Sequence, residues 1–215
     1  MQKILVFDFD GTLANTTKVA YEVYLKVAGK SSHNLMSENE FLSLRNLPLE
    51  NRFKKYGIPL YKIPKLFKST IPLFKEHIEK VEIFPGIKDL LLKLKDEGYR
   101  LIILSSNSKE NIIWFLTNQD IMVFDKIITK SSIFGKDKKI KKLISSEKVE
   151  RKQIVYIGDE SRDIKACKKA KIKMIASTWG YDSLEVLEKD KPDYLVDNTN
   201  ELYHIIKKVF LDEKT

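Results

Sequence analysis

The sequence predicts an α/β protein: an open parallel sheet with helices on both faces and an all-α insertion after the first strand. Three observations carry that expectation. Short, continuous apolar runs recur along the chain, amphipathic stretches separate them, and residues 14–84 break the alternation. A continuous apolar run suits a strand buried on both faces, as parallel sheets require. Strand–helix alternation then supplies the crossovers that parallel strands need.

Residues 2–8 form the first strand, closed by Asp8 and Asp10 in KILVFDFDGTL. Further strands are expected at YRLIILSSN (99–107), KIIT (126–129), QIVYIGD (153–159) and IKMIAS (172–177). In 86–97, Ile87, Leu90, Leu91 and Leu94 repeat at i, i+3, i+4 and i+7, the stripe of a half-buried helix, and Gly98 ends it. Residues 109–118 carry Ile112, Ile113, Phe115 and Leu116, and 137–147 carry Ile140, Leu143 and Ile144. In 160–171, Ile164, Cys167 and Ala170 share one side, which makes Cys167 a packing residue. The 14–84 segment holds no convincing strand and reads as helices over about 15–29, 37–46, 49–56 and 62–80, parted by Gly29, Pro48, Gly57-Ile58-Pro59 and Pro64. The expected domains are a core of 1–13 and 85–215 and a helical cap of 14–84, with hinges near Ala14–Thr17 and Ile83–Gly86. The DEKT tail is expected to fray.

Composition removes several function classes. At 215 residues, 43% hydrophobic and 32% charged, the chain is an ordinary globular protein, not a disordered one. The apolar run before Asp8 is too short for a secretory signal or a membrane span, and no membrane partner is expected. A single cysteine excludes an internal disulfide and suits a reducing cytoplasm. Three scattered histidines offer no zinc spacing, and His77 reads as a surface residue. The net charge of +9 comes from 34 lysines spread along the chain and only 5 arginines. Nucleic-acid recognition favours clustered arginine, so none is expected and the excess reads as solvated helix faces.

Ligands of open α/β sheets sit beyond the carboxyl ends of the strands. This chain places Asp8 and Asp10 there, then Ser105-Ser106-Asn107, then Asp159 with Asp163 one helical turn on. In extended chain, i and i+2 side chains share a face, so Asp8 and Asp10 address one object. Carboxylates this close cannot all stay ionised without a positive neighbour, and an oxygen-rich open site suits Mg²⁺. The plainer alternatives are a strand-closing turn for the two aspartates and a helix cap for Ser105 and Ser106.

DFDGTL, Ser106, a lysine after the third strand and GDESRD, in that order, resemble the four motifs of the haloacid dehalogenase superfamily of phosphohydrolases. FPGIKDLL, LSSNSKEN, FGKDKK, YIGDESRDI and the position of the cap resemble its phosphoglycolate phosphatase-like branch, and the likeness covers nearly the whole chain. It implies a Rossmann-like core and a Mg²⁺-dependent phosphatase of small phosphomonoesters, phosphoglycolate among them. Carried onto this sequence, Asp8 is the nucleophile that forms an aspartyl-phosphate, and Asp10 is the acid and base. Ser106, Asn107 and Lys136 hold the phosphoryl group, with Gly11 letting the chain turn so that amides near Thr12 approach it. Asp8, the Asp10 carbonyl, Asp159 and Asp163 hold the metal, with Glu160 behind them.

Selectivity is then expected in the cap, whose 12 basic and 7 acidic residues make it +5. A basic cap suits a small, doubly anionic phosphorylated metabolite; Arg45 leads the candidate contacts, followed by Arg52, Lys54 and Lys55. A monomer or weak homodimer is expected. A beta-phosphoglucomutase-like phosphomutase, a phosphonatase using a cap lysine, and a regulatory binding module on an inactive core are the alternatives. A dehalogenase has no use for Asp10 and Asp159.

Overall fold

The structure is a computed structural model that describes residues 2–28, 35–55, 60–62, 65, 72, 75–129 and 135–212. Its centre is a six-stranded sheet: β1 (Ile4–Phe7), β4 (Arg100–Ser105), β5 (Lys126–Thr129), β6 (Ile154–Gly158), β7 (Lys173–Ser177) and β8 (Tyr194–Val196). All pairings are parallel and the spatial order is β5-β4-β1-β6-β7-β8. The chain therefore builds outward from β1 to one edge, returns beside β1, and builds to the other. That reversal opens a crevice at the carboxyl ends of β1, β4 and β6, where Phe7 stands level with Ile103 and Ile157.

The continuous apolar character of β1 follows from its neighbours. Alternate side chains leave opposite faces of a strand, so Leu5 and Phe7 enter one core while Ile4 and Val6 enter the other. The first core packs β1 against α1 (Thr17–Ala28), α4 (Ile87–Asp96), α5 (Lys109–Asn118) and α9 (Thr199–Asp212). The second packs it against α6 (Lys136–Glu147), α7 (Ser161–Ala170) and α8 (Leu184–Lys189). Cys167 is buried in this second core beside Ile164, as its helix stripe predicts.

The strand and helix expectations from 86 to 177 hold to within two residues at each end. Beyond the five strands expected, the chain adds α8, β8 and α9. Leu202, Ile206, Val209 and Phe210 seal the first core from α9.

Between β1 and β4 the described residues include α1, α2 (Glu38–Ser43), a 3₁₀ turn at Leu44–Asn46, α3 (Leu49–Lys55) and a 3₁₀ turn at Ile78–Lys80. Most of the helix expected over 62–80 lies outside the described residues, as do Gly29, Gly57-Ile58-Pro59, Pro64 and residues 213–215 of the tail. One expectation is corrected. The insertion begins and ends in strands: β2 (Ala14–Asn15) pairs antiparallel with β3 (Glu82–Ile83). Two residues are too few for an alternation to register in sequence. The segments expected as hinges, Ala14–Thr17 and Ile83–Gly86, hold Ala14, Asn15 and Ile83 of this ribbon. No helix among the described residues is long and apolar enough to cross a membrane.

Candidate active site

Asp8 extends β1 by one residue, its amide donating to the Ile157 carbonyl at 2.9 Å. That bond directs its carboxylate into the crevice, 2% exposed. One oxygen accepts from the Phe9 amide at 2.8 Å and the other from Lys136 Nζ at 2.5 Å. The chain then turns back: the amides of Leu13 and Ala14 donate to the Phe9 carbonyl at 2.9 and 3.0 Å. Gly11 makes the turn with φ +79°, a left-handed conformation that disfavours side chains. The Gly11 amide donates to Ala14 at 2.9 Å and the Thr12 amide to Phe9 at 3.3 Å. The amides expected to face phosphate thus close the turn, and the Thr12 hydroxyl donates to Asp159 Oδ1 at 2.6 Å.

Asp10 faces the end of β4 and keeps part of its surface open to the cleft. Asn107 Nδ2 donates to its two oxygens at 3.0 and 3.2 Å. Asn107 is itself fixed, its Oδ1 accepting from the Ser108 amide at 2.8 Å and Asn111 Nδ2 at 3.0 Å. Burial, then the charge of Asp8, raises the Asp10 carboxyl to about 7, against the lowering effect of Asn107. Ser108 caps α5 by accepting from the Asn111 amide at 3.1 Å. Neither Ser105 nor Ser106 is that cap; Ser105 Oγ accepts from the Asn107 amide at 3.0 Å, and Ser106 is half-buried.

Lys136 opens α6 directly after Gly135, whose φ is +83°. Its ammonium, 6% exposed, bridges Asp8 and Asp163, at 2.6 Å from Asp163 Oδ1, and lies 5.5 Å from the Tyr156 ring centre. Burial works against its charge, but Asp163 and Asp8 outweigh it and hold the ammonium above the ordinary lysine range. Burial raises the Asp163 carboxyl to about 7, with Lys136 opposing.

The segment after β6 separates its acids. Asp159 is fully buried, with Oδ1 on Thr12 and Oδ2 accepting from the Tyr181 amide at 2.7 Å. Burial and the charges of Glu160 and Asp8 push it well above the usual carboxylate range. Asp8, Glu160 and Asp163 instead come together, each offering an oxygen within 4.8 Å of the others. Asp163 Oδ2 is buried with no hydrogen-bond partner. Hard carboxylate oxygens with one orphaned acceptor are the donor set a divalent cation takes.

Of the arginines in residues 14–84, Arg45 is exposed and donates from Nη2 to the Thr178 carbonyl at 3.3 Å. Arg52 is only 12% exposed and forms an ion pair with Asp182, itself 1% exposed. Lys54 and Lys55 are exposed. The loop TWGYDS (Thr178–Ser183) carries contacts that no motif announced. Tyr181 meets Thr16 at 2.7 Å, hydroxyl to hydroxyl, and Asp182 Oδ2 accepts from the Ser161 amide at 2.6 Å. The only signal in the sequence was the Trp-Gly pair just after a strand, where a backbone must pass close to something.

A profile of haloacid dehalogenase-like hydrolases matches residues 5–177, from β1 through β7. The chain belongs to the haloacid dehalogenase-like hydrolase family. The chain is 26% identical, over 94% of its length and 96% of the relative, to a phosphoglycolate phosphatase of Synechococcus elongatus. It is 22% identical, over 95% of this chain and 97% of the relative, to the pyrophosphatase PpaX of Bacillus mycoides. A crystal structure described as a predicted phosphatase from Clostridium acetobutylicum superposes with a TM-score of 0.83 at 21% identity, covering 97% of this chain and 99% of that one. That likeness concerns the fold, and it includes the insertion that separates β1 from β4 in this haloacid dehalogenase-like hydrolase.

Proposed function

We propose that the protein is a Mg²⁺-dependent phosphatase of small phosphomonoesters, with residues 14–84 as its cap. The observation that carries this is the pairing of two aspartates with opposite duties. Asp8 is buried on a lysine, and Asp10, two residues on, is held by Asn107 with its carboxyl near neutrality. An Asp8 oxygen attacks phosphorus as the bond from phosphorus to the ester oxygen breaks. Asp10 gives its proton to that leaving oxygen. A water then attacks the aspartyl-phosphate, Asp10 takes the proton, and phosphate departs with Asp8 restored. Ser106 and Asn107 orient the phosphoryl oxygens, and Lys136 offsets their charge. The Asp8, Asp159 and Asp163 carboxylates and the Asp10 carbonyl would hold the Mg²⁺, which when bound would screen the phosphoryl charge.

The relatives named phosphoglycolate phosphatase and pyrophosphatase, with the +5 charge of 14–84, support a small, doubly anionic substrate such as phosphoglycolate. Arg45, exposed where the insertion meets the TWGYDS loop, is the proposed selecting residue, and its exposure leaves its charge available to such a substrate. The single cysteine supports a cytoplasmic setting. The test is hydrolysis of p-nitrophenyl phosphate by purified protein, followed by a panel of phosphorylated metabolites that includes phosphoglycolate, pyrophosphate and sugar phosphates. Turnover is expected to need Mg²⁺, to stop with a chelator, and to fall by at least about 10³-fold in Asp8→Asn. Metal-independent turnover or an active Asp8→Asn would overturn the mechanism.

A further inference from the structure

We propose that Tyr181 is a positioning residue for the acid: through the Thr16 hydroxyl it aims the Asp10 proton into the crevice, at the oxygen that leaves phosphorus. This rests on the phosphatase reading above and adds a residue that reading does not use.

Tyr181 is held at both ends. Its amide donates to Asp159 Oδ2 at 2.7 Å, and the nearby Trp179 donates from Nε1 to the Thr12 carbonyl at 3.2 Å. The ring lies against Gly11, where a Cβ would stand 2.8 Å from Tyr181 Cδ2. So fixed, the side chain carries its hydroxyl to within 2.7 Å of the hydroxyl of Thr16, a buried residue directly before α1.

Counting protons gives these bonds a direction. A hydroxyl has a single proton to donate and lone pairs that accept. Burial and the charge of Asp10 hold the Tyr181 phenol well above the ordinary tyrosine range, so it keeps a proton to give. Thr16 also hydrogen-bonds the Asp10 carboxyl and favours its charged form, which is what a donor does. Thr16 therefore gives its proton to Asp10 and accepts that of Tyr181. Asn107 Nδ2 donates to the same carboxyl, and its own Oδ1 is taken by Ser108 and Asn111. Both neighbours thus present donors. The proton of a neutral Asp10 has no acceptor between them and turns to the side that is open to the cleft. Without the Tyr181 hydroxyl, Thr16 is free to rotate and accept that proton, which withdraws it from the leaving oxygen.

Two aryl phosphates of similar shape test this on the full chain with Mg²⁺. p-Nitrophenyl phosphate releases an anion that is stable without a proton, whereas phenyl phosphate releases one that gains from receiving it. kcat/KM for each reports the step in which that bond breaks. Tyr181→Phe keeps the ring against Gly11 and removes only the hydroxyl. It is expected to lower kcat/KM for phenyl phosphate by about tenfold and to leave p-nitrophenyl phosphate within about twofold. A merely structural loss would lower both alike. In an Asp10→Asn background the same change is expected to have no selective effect, because it acts through Asp10. Thr16→Val is expected to reproduce the selective loss, and it carries the comparison if Tyr181→Phe does not fold. An equal fall on both substrates, no fall, or a selective loss that persists beside Asp10→Asn overturns the proposal. Should Asp10→Asn lose phenyl phosphate selectively while Tyr181→Phe and Thr16→Val do not, this inference alone falls. Should the wild-type protein hydrolyse neither substrate, the phosphatase reading falls with it.

Discussion

Asp10 shows how one side chain is prepared for proton transfer. Its carboxyl is raised from 3.8 to about 7, first by burial and then by Asp8, so the folded protein prefers it protonated while the unfolded chain does not. A raised folded value means that the stability tied to this group is complete below about 4 and drains away as pH rises through about 7. In chelator, Asp10→Asn is therefore expected to raise the melting temperature relative to wild type more at pH 8 than at pH 5. Thermal melts at the two pH values check this, and an equal or reversed difference would remove the raised carboxyl. Gly180 shows the same economy in reverse. Nothing but hydrogen fits where a Cβ would strike the Asp159 carboxylate at 2.3 Å.

At the scale of elements, two helices begin at the site, and their starts set its charge. α6 opens with Lys136, and α7 is preceded by Glu160 and holds Asp163 in its first turn. Acidic groups near a helix N-terminus meet its unpaired N–H groups and the positive end of its dipole, a place that favours Glu160 and Asp163. The other ends of these helices are built at some cost. Lys148 and Lys171 cap α6 and α7 with φ of 53° and 58°, where a side chain crowds its own backbone. Lys171 is exposed at the far end of α7 from the acids. Lys171→Gly is expected to stabilise the protein by about 1 kcal/mol, read from urea unfolding. A neutral or negative change would show that the lysine makes a compensating contact.

At the scale of the whole molecule, the insertion is tied to the core at the TWGYDS loop. The Ser183 amide donates to the Arg45 carbonyl at 2.9 Å, Arg52 pairs with Asp182, and Arg52 Nε also donates to Leu47 at 2.7 Å. Burial and Glu160 raise Asp182 to about 6, with Arg52 opposing. Because Asp182 also accepts from the Ser161 amide, the tie reaches the start of the helix that carries Asp163. Breaking one side of a buried pair typically costs about 3–5 kcal/mol, because the partner is left charged and desolvated. Arg52→Met is expected to lose stability of that order and to expose residues 14–84 to limited proteolysis before the core yields. Unchanged cleavage and stability would show that the pair holds nothing.

How much of this was legible depends on whether the signal was local. The stripe of Ile87, Leu90, Leu91 and Leu94, and the apolar run of β1, appear because helix and strand periods repeat within a few residues. β2 and β3 stayed hidden because two residues carry no period, and Arg52 read as a substrate contact because its partner lies 130 positions away. The acids at the strand ends were legible as a group, since open sheets gather ligands there. The donors that hold each of them were not.

The sequence by itself therefore determined the parallel sheet, the insertion between the first two long strands, and the position of Asp8, Asp10, Asp159 and Asp163 just beyond the carboxyl ends of β1 and β6. Local periodicity and strand-end position are enough for that. Only the tertiary structure decided that Asp159 is held by Thr12 and Tyr181 while Glu160 joins Asp8 and Asp163. Where a carboxylate points is settled by the donors and glycines around it, and these come from segments that only the folded chain brings together.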